Sequence, residues 1–113
     1  MRMWNVEPKF MCVNHLMGEH LEMHMFVGTL KKGVSVKGYV ENGLVEIHNI
    51  KKRHDELAKE IVARGFNHKS NLKFNMGKRR DEGSVNRANS LKILRNRCAY
   101  CRNLQLRFFS ELC

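Results

Sequence analysis

The sequence predicts a mainly α-helical, compact single domain of three helical segments joined by long loops. Three observations predict it. Apolar residues recur at helical spacing in three separated stretches. The one proline, Pro8, precedes all three. A length of 113 residues with 42% hydrophobic content suits one core, so residues 1–113 are read as a single domain.

The first helix is expected from about Met11 or Asn14 to Lys32, with Asn14 as N-cap and Gly33 just past a basic last turn. At about 100° per residue, Leu16, Met23, Val27 and Leu30 share one side, and Met17, Leu21 and Met25 cover another. Such a helix is apolar around much of its circumference and should be largely buried. His15, Glu19 and Glu22 fall at i, i+4 and i+7 and form one polar stripe. A carboxylate on a buried helix is costly unless paired or in use. The stripe is therefore either a solvated charged face or the floor of an active site.

Residues 33–47 carry alternating Val34 and Val36 and an Asn42-Gly43 turn signal, the pattern of a β-hairpin. A long ordered loop between helices is the alternative. The second helix is expected over Asn49 to Ala63. Ile50, His54, Leu57 and Ile61 face inward, while Lys51, Lys52, Glu56, Lys59 and Glu60 lie largely outside, and Arg64-Gly65 ends it. Residues 65–87 read as a loop in which Phe66, Leu72 and Phe74 could pin the chain to the core. Its Lys69, Lys73, Lys78, Arg79 and Arg80 suit phosphate contact or plain solvation.

The third helix is expected from Ala88 to Cys113. Leu91, Leu94, Cys98, Cys101, Phe108 and Leu112 repeat at steps of three and four, interrupted by Gln105. Cys98 and Cys101 lie on this stripe, where thiols pack as small hydrophobes. Their Cys-x-x-Cys spacing also fits half a zinc site or a redox pair, with His54 or Cys12 as further ligands. The other cysteines are Cys12 and Cys113. Their even number alone does not make a disulfide framework.

The net charge of +10 is large for this length and implies a polyanionic partner. Nucleic acid fits better than a membrane surface, since no segment is a basic amphipathic helix with an aromatic face. No apolar run approaches the roughly 18 residues of a membrane helix. The first residues hold no apolar signal core, so a cytoplasmic protein is expected. Arg2 is too bulky for ordinary removal of the initiator, so Met1 should keep the α-amine. Such amines titrate at about 7.7–8.0 in model peptides, leaving a nucleophilic fraction at neutral pH.

Met1-Arg2-Met3-Trp4, His15-Leu16-Met17-Gly18-Glu19-His20-Leu21-Glu22, Phe26-Val27-Gly28, and the run from Arg53-His54-Asp55-Glu56-Leu57 to Arg64-Gly65-Phe66-Asn67 carry a resemblance. They resemble, colinearly over roughly residues 1–70, the pyrimidine-dimer DNA glycosylases, the endonuclease V-like family of bacteriophage. The resemblance implies a helical domain whose N-terminus threads between helices. It implies an α-amine that attacks C1′ of the damaged nucleotide, forms a Schiff base and cleaves the strand by β-elimination. Met1 and Glu22 are then the catalytic pair, with Glu22 stabilising an oxocarbenium-like state and moving the C2′ proton. Arg2, His15, Glu19, Lys31, Lys32 and Arg53 are expected to bind the substrate. The expected partner is damaged double-stranded DNA, bound by a monomer without cofactor or metal. Leu21 and Met25 stand where the family carries arginines flanking the glutamate, so the lesion itself is left open. Under this resemblance, residues 33–47 become an inter-helix loop. A non-catalytic DNA-binding protein on the same fold and a small zinc or redox protein are the competing readings.

Overall fold

A computed structural model describes residues 1–74 and 82–111. Its α-helices are α1 (Val13–Lys31), α2 (Lys37–Glu41), α3 (Ile50–Ala63), α4 (Arg87–Arg97) and α5 (Ala99–Glu111). Single 3-10 turns occupy Pro8–Phe10 and Ile47–Asn49. The fold is mainly α, with no strand among the described residues.

The long helices α1 and α3 pack on each other and frame the core. Leu16, Met23, Phe26 and Val27 of α1 meet Ile50, Leu57 and Ile61 of α3 in one buried cluster. Burying each such side chain contributes about 1.5–3 kcal/mol. The second apolar face expected on α1 is covered only at Met17, which packs on the core, while Leu21 is 59% and Met25 47% exposed. The helix ends as its sequence suggests, with Gly33 in the left-handed region at φ 72°.

The N-terminal segment runs through the interior. Met3, Trp4, Asn5 and Val6 are all buried. The Met3 N–H donates to the Leu44 carbonyl at 2.6 Å, and Arg53 reaches from α3 to the Val6 carbonyl at 2.7 Å. Asn5 turns the segment with a left-handed φ of 59°, which asparagine tolerates better than most residues. Its side chain donates to Glu46, a buried carboxylate that also accepts from Asn49 and from the Val85 N–H.

Residues 33–47 form no hairpin. Val36 to Asn42 coil into the short α2, and Leu44 then returns to the N-terminal segment. The Asn-Gly signal marks a helix end instead, with Gly43 at φ 68°. Of the loop anchors, Leu72 is buried and Phe74 packs on the core, while Phe66 is 46% exposed. Lys78, Arg79 and Arg80 lie outside the described residues, as do Leu112 and Cys113.

The expected third helix is two helices. Cys98 adopts an extended conformation (φ −126°, ψ 113°) and breaks the run. Its Sγ accepts the Cys101 N–H at 3.5 Å, three residues on, in the manner of an N-cap for α5. No glycine or proline announces this break, because sulfur supplies the cap.

Candidate active site

The stripe of α1 lies under the N-terminal segment. Met1, Arg2, Trp4, Asn14, His15, Gly18, Glu19, Glu22 and Leu44 line a cleft of about 410 Å³. Two carboxylates on one helix face thus share a cleft with the start of the chain, in very different surroundings.

Glu19 is 1% exposed. Arg53, also buried, grips both its oxygens, with Nη2 donating to Oε1 at 2.8 Å and Nε to Oε2. Burial pushes the Glu19 pKa up, and the Arg53 contacts and the backbone N–H groups of Trp4 and Asn5 oppose that rise. Glu22, three residues on, is only half-buried. It accepts the backbone N–H of Arg2 at 3.3 Å, which holds the first peptide unit of the chain against the carboxylate.

The Arg2 guanidinium lies over the Trp4 ring, 3.7 Å from its centroid, and reaches Ser90 Oγ of α4 at 3.4 Å. Burial and the nearby Arg97 charge lower its pKa, against the pull of Glu19 and Glu22. Trp4 in turn meets the His15 ring edge-on at 5.8 Å.

Of the expected site residues, Met1, Arg2, His15, Glu19 and Glu22 therefore converge on one cleft. Lys31 and Lys32 do not line it. They are exposed at the far end of α1, about 13 Å beyond Glu22 along the helix axis. Arg53 is turned inward, away from exposed Lys51 and Lys52. Its guanidinium holds Glu19, the Val6 carbonyl, Glu56 and the Met11 sulfur. Sequence reasoning gave Trp4, Leu44 and Ser90 no part in the site, and it made Asn14 the helix N-cap, a position that Cys12 holds while Asn14 lies inside α1 and lines the cleft. Ser90 in particular carries no local signal, being 68 residues beyond Glu22 in the chain.

A larger cleft of about 510 Å³ lies between the start of α1 and α5, lined by Cys12, Arg64, Tyr100 and Arg107 among others, with no carboxylate among the described residues of its wall. Among the described residues, two groups of side chains bring metal-ligand atoms within 4.8 Å of one another: Cys12, His15, Cys98 and Cys101, and His20, His54 and His68. In the second group His20 Nε2 stands 3.1 Å from His54 Nε2 and 2.9 Å from His68 Nε2. His54 is also tied to Asp55 through Nδ1 and to the Ser70 carbonyl through Nε2. Burial, helped by the neighbouring imidazoles, pushes the His20 pKa down to about 4 and keeps the ring neutral near neutral pH.

A basic, mainly helical chain whose buried N-terminus opens into a carboxylate-bearing cleft has the makings of a DNA-processing protein. A family model described as pyrimidine dimer DNA glycosylase matches residues 1–74. The chain belongs to this family, and DNA is the substrate the family implies. No curated protein and no solved structure matches it.

Proposed function

We propose that this protein is a DNA glycosylase with abasic-site lyase activity, acting on pyrimidine-dimer lesions in duplex DNA through the Met1 α-amine and Glu22. The observation that carries the proposal is the hydrogen bond from the Arg2 N–H to Glu22 inside the cleft that Met1 also lines. It keeps the first residue beside the one carboxylate of the stripe that is not consumed by an arginine.

In this mechanism the amine nitrogen bonds to C1′ as the glycosidic C1′–N bond breaks, and the base departs with the electron pair and takes up a proton. Glu22 stabilises the positive charge that develops at C1′. Ring opening gives an imine. Loss of the C2′ proton, with Glu22 as acceptor, then expels the 3′-phosphate oxygen. Arg2 contacts a flanking phosphate in this reading, because it and His15 line the same cleft as Met1 and Glu22. Lys31 and Lys32 contribute phosphate contacts further along the duplex. Arg53 acts indirectly, by neutralising Glu19 and anchoring the N-terminal segment. The protein works as a monomer in the cytoplasm of a bacterial or phage-infected cell. A dimerised base is already weakly stacked, which lowers the cost of opening the helix at the lesion.

The test is borohydride trapping with protein whose N-terminus is Met1, verified by intact mass. Duplexes carry either a pyrimidine dimer or an abasic site. A covalent complex through Met1 on both supports the full proposal. A complex on the abasic site alone restricts the activity to the lyase step, an outcome that exposed Leu21 and Met25 make worth resolving. Adding one residue before Met1 should abolish trapping, and unchanged trapping would overturn the amine mechanism.

A further inference from the structure

The geometry points to a structural zinc site built from Cys12, His15, Cys98 and Cys101, clamping α1 to the α4–α5 junction. It shares His15 with the cleft wall, but its readouts are separate from the amine chemistry.

The distances carry the assignment. With Zn–S at about 2.3 Å and Zn–N at about 2.0–2.1 Å, a tetrahedron has S···S edges of about 3.8 Å and S···N edges of about 3.5 Å. Cys12 Sγ lies 3.8 Å from Cys98 Sγ. His15 Nδ1 lies 3.2 Å from Cys12 Sγ and 3.5 Å from Cys101 Sγ. All four ligand atoms fall within 4.8 Å of one another. Three thiols cannot satisfy one another as disulfides, and the Cys12–Cys98 separation is far beyond the roughly 2.0 Å of an S–S bond. One nitrogen and three sulfurs around a common centre match a closed Cys3His set, the structural type with no open position.

The backbone prepares the same charge distribution. Cys12 immediately precedes α1, and Cys98 immediately precedes α5. His15 and Cys101 are the third residues of those helices, so each helix offers a ligand pair from its first turn. Both helices therefore begin at the sulfurs, and there the Cys12 N–H opposes the burial that pushes the Cys101 thiol up to about 12. Amide donors are in place as well: the Cys12 N–H donates to Cys101 Sγ at 3.2 Å, and the Cys101 N–H to Cys98 Sγ at 3.5 Å. Cys12 and Cys101 are buried, and His15 and Cys98 half-buried.

The clamp joins parts of the chain that are more than 80 residues apart in sequence. It fixes α4, whose Ser90 meets Arg2, to the helix that carries Glu22. His15 belongs to both the metal set and the cleft wall, so the metal would set the orientation of that ring.

The experiment uses the full chain expressed in zinc-supplemented medium. Zinc is quantified by mass spectrometry, and cobalt(II) is then exchanged in. One equivalent of zinc is expected, with tetrahedral ligand-field bands and thiolate-to-cobalt charge-transfer bands after exchange. A mercurial thiol reagent on the native protein should release the metal to an indicator dye. Cys101→Ser should lose one thiolate's share of the charge-transfer intensity. The wild-type cobalt spectrum stands on its own if that variant fails to fold. Folded protein without metal would overturn the site, as would cobalt bound without thiolate bands, the signature of the His20, His54 and His68 group. A Cys12–Cys98 disulfide in the native protein would overturn it too.

Discussion

Replacing Arg53 by methionine tests whether the buried pair with Glu19 holds the cleft together. Arg53 and Glu19 have side-chain exposures of 2% and 0%. The guanidinium makes a two-point contact with the carboxylate and donates to the Val6 carbonyl at 2.7 Å. Methionine keeps most of the volume and removes every donor. Glu19 is left buried against only the Trp4 and Asn5 amides. Removing one partner of a buried pair typically costs about 3–5 kcal/mol. A domain has about 5–15 kcal/mol in total, so the variant should be marginal at room temperature. Arg53→Lys should fall between, since an ammonium cannot serve both oxygens in a planar fork. The double variant Glu19→Gln with Arg53→Met should lose much less than the sum of the two singles, because no charge is then stranded. Urea unfolding followed by far-ultraviolet circular dichroism reads the four variants, Glu19→Gln included, against the wild type. A cost under about 1 kcal/mol for Arg53→Met, or simple additivity in the double variant, would show that the pair is solvated and that Arg53 is free for DNA.

Glu22→Gln should lower glycosylase turnover by about 10²–10⁴-fold with duplex binding and thermal melting little changed. Strand-cleavage kinetics and a binding titration check this, and a fully active variant would remove Glu22 from the mechanism. His20 titrates near 6.5 when unfolded and at about 4 in the fold, so the unfolded chain takes up its proton first. Stability should therefore fall as pH drops from about 6.5 towards 4. The full shift corresponds to roughly 3 kcal/mol, and solvent around the half-buried ring brings this to about 1–2 kcal/mol. Denaturant midpoints across that range should decline, and His20→Gln should flatten the decline. Gly83 has φ 94°, and a Cβ there would stand 2.1 Å from the Val45 carbonyl oxygen. Gly83→Ala should cost more than about 2 kcal/mol and show as a lower melting temperature.

The α1 and α3 helices were legible because their apolar residues keep one period over several turns and their ends carry Gly33 and Gly65. The cleft was legible in part, since His15, Glu19 and Glu22 share one face of a helix whatever it packs against. Four things were not. The Asn42-Gly43 signal is a local preference for left-handed backbone, and it serves a helix end as readily as a hairpin. The break at Cys98 depends on a sulfur cap, and sulfur rarely caps helices. The inward turn of Arg53 could not be read from its basic neighbours, because Lys51 and Lys52 face outward on the same turns. Nor does a local pattern announce that Cys12-x-x-His15 and Cys98-x-x-Cys101 meet: each half is weak alone, and only the packing of α5 against the N-terminal end of the core joins them.

The fates of Glu19 and Glu22 show how one helix face supports two roles. They are three residues apart, yet the N-terminal segment covers one and leaves the other at the cleft. Trp4 and Asn5 pass over Glu19, Arg53 closes on it from α3, and the carboxylate becomes a tie between helix and threaded segment. At Glu22 the same segment has reached its first peptide unit, and the Arg2 N–H donates to the carboxylate. Glu22 lines the cleft of about 410 Å³. Pairs of carboxylates pushed apart in environment divide structural from chemical work. Here the difference in environment follows from where the chain's first six residues lie: with Met3 to Val6 buried, Glu19 is covered and Glu22 stays at the cleft, as the proposed mechanism requires.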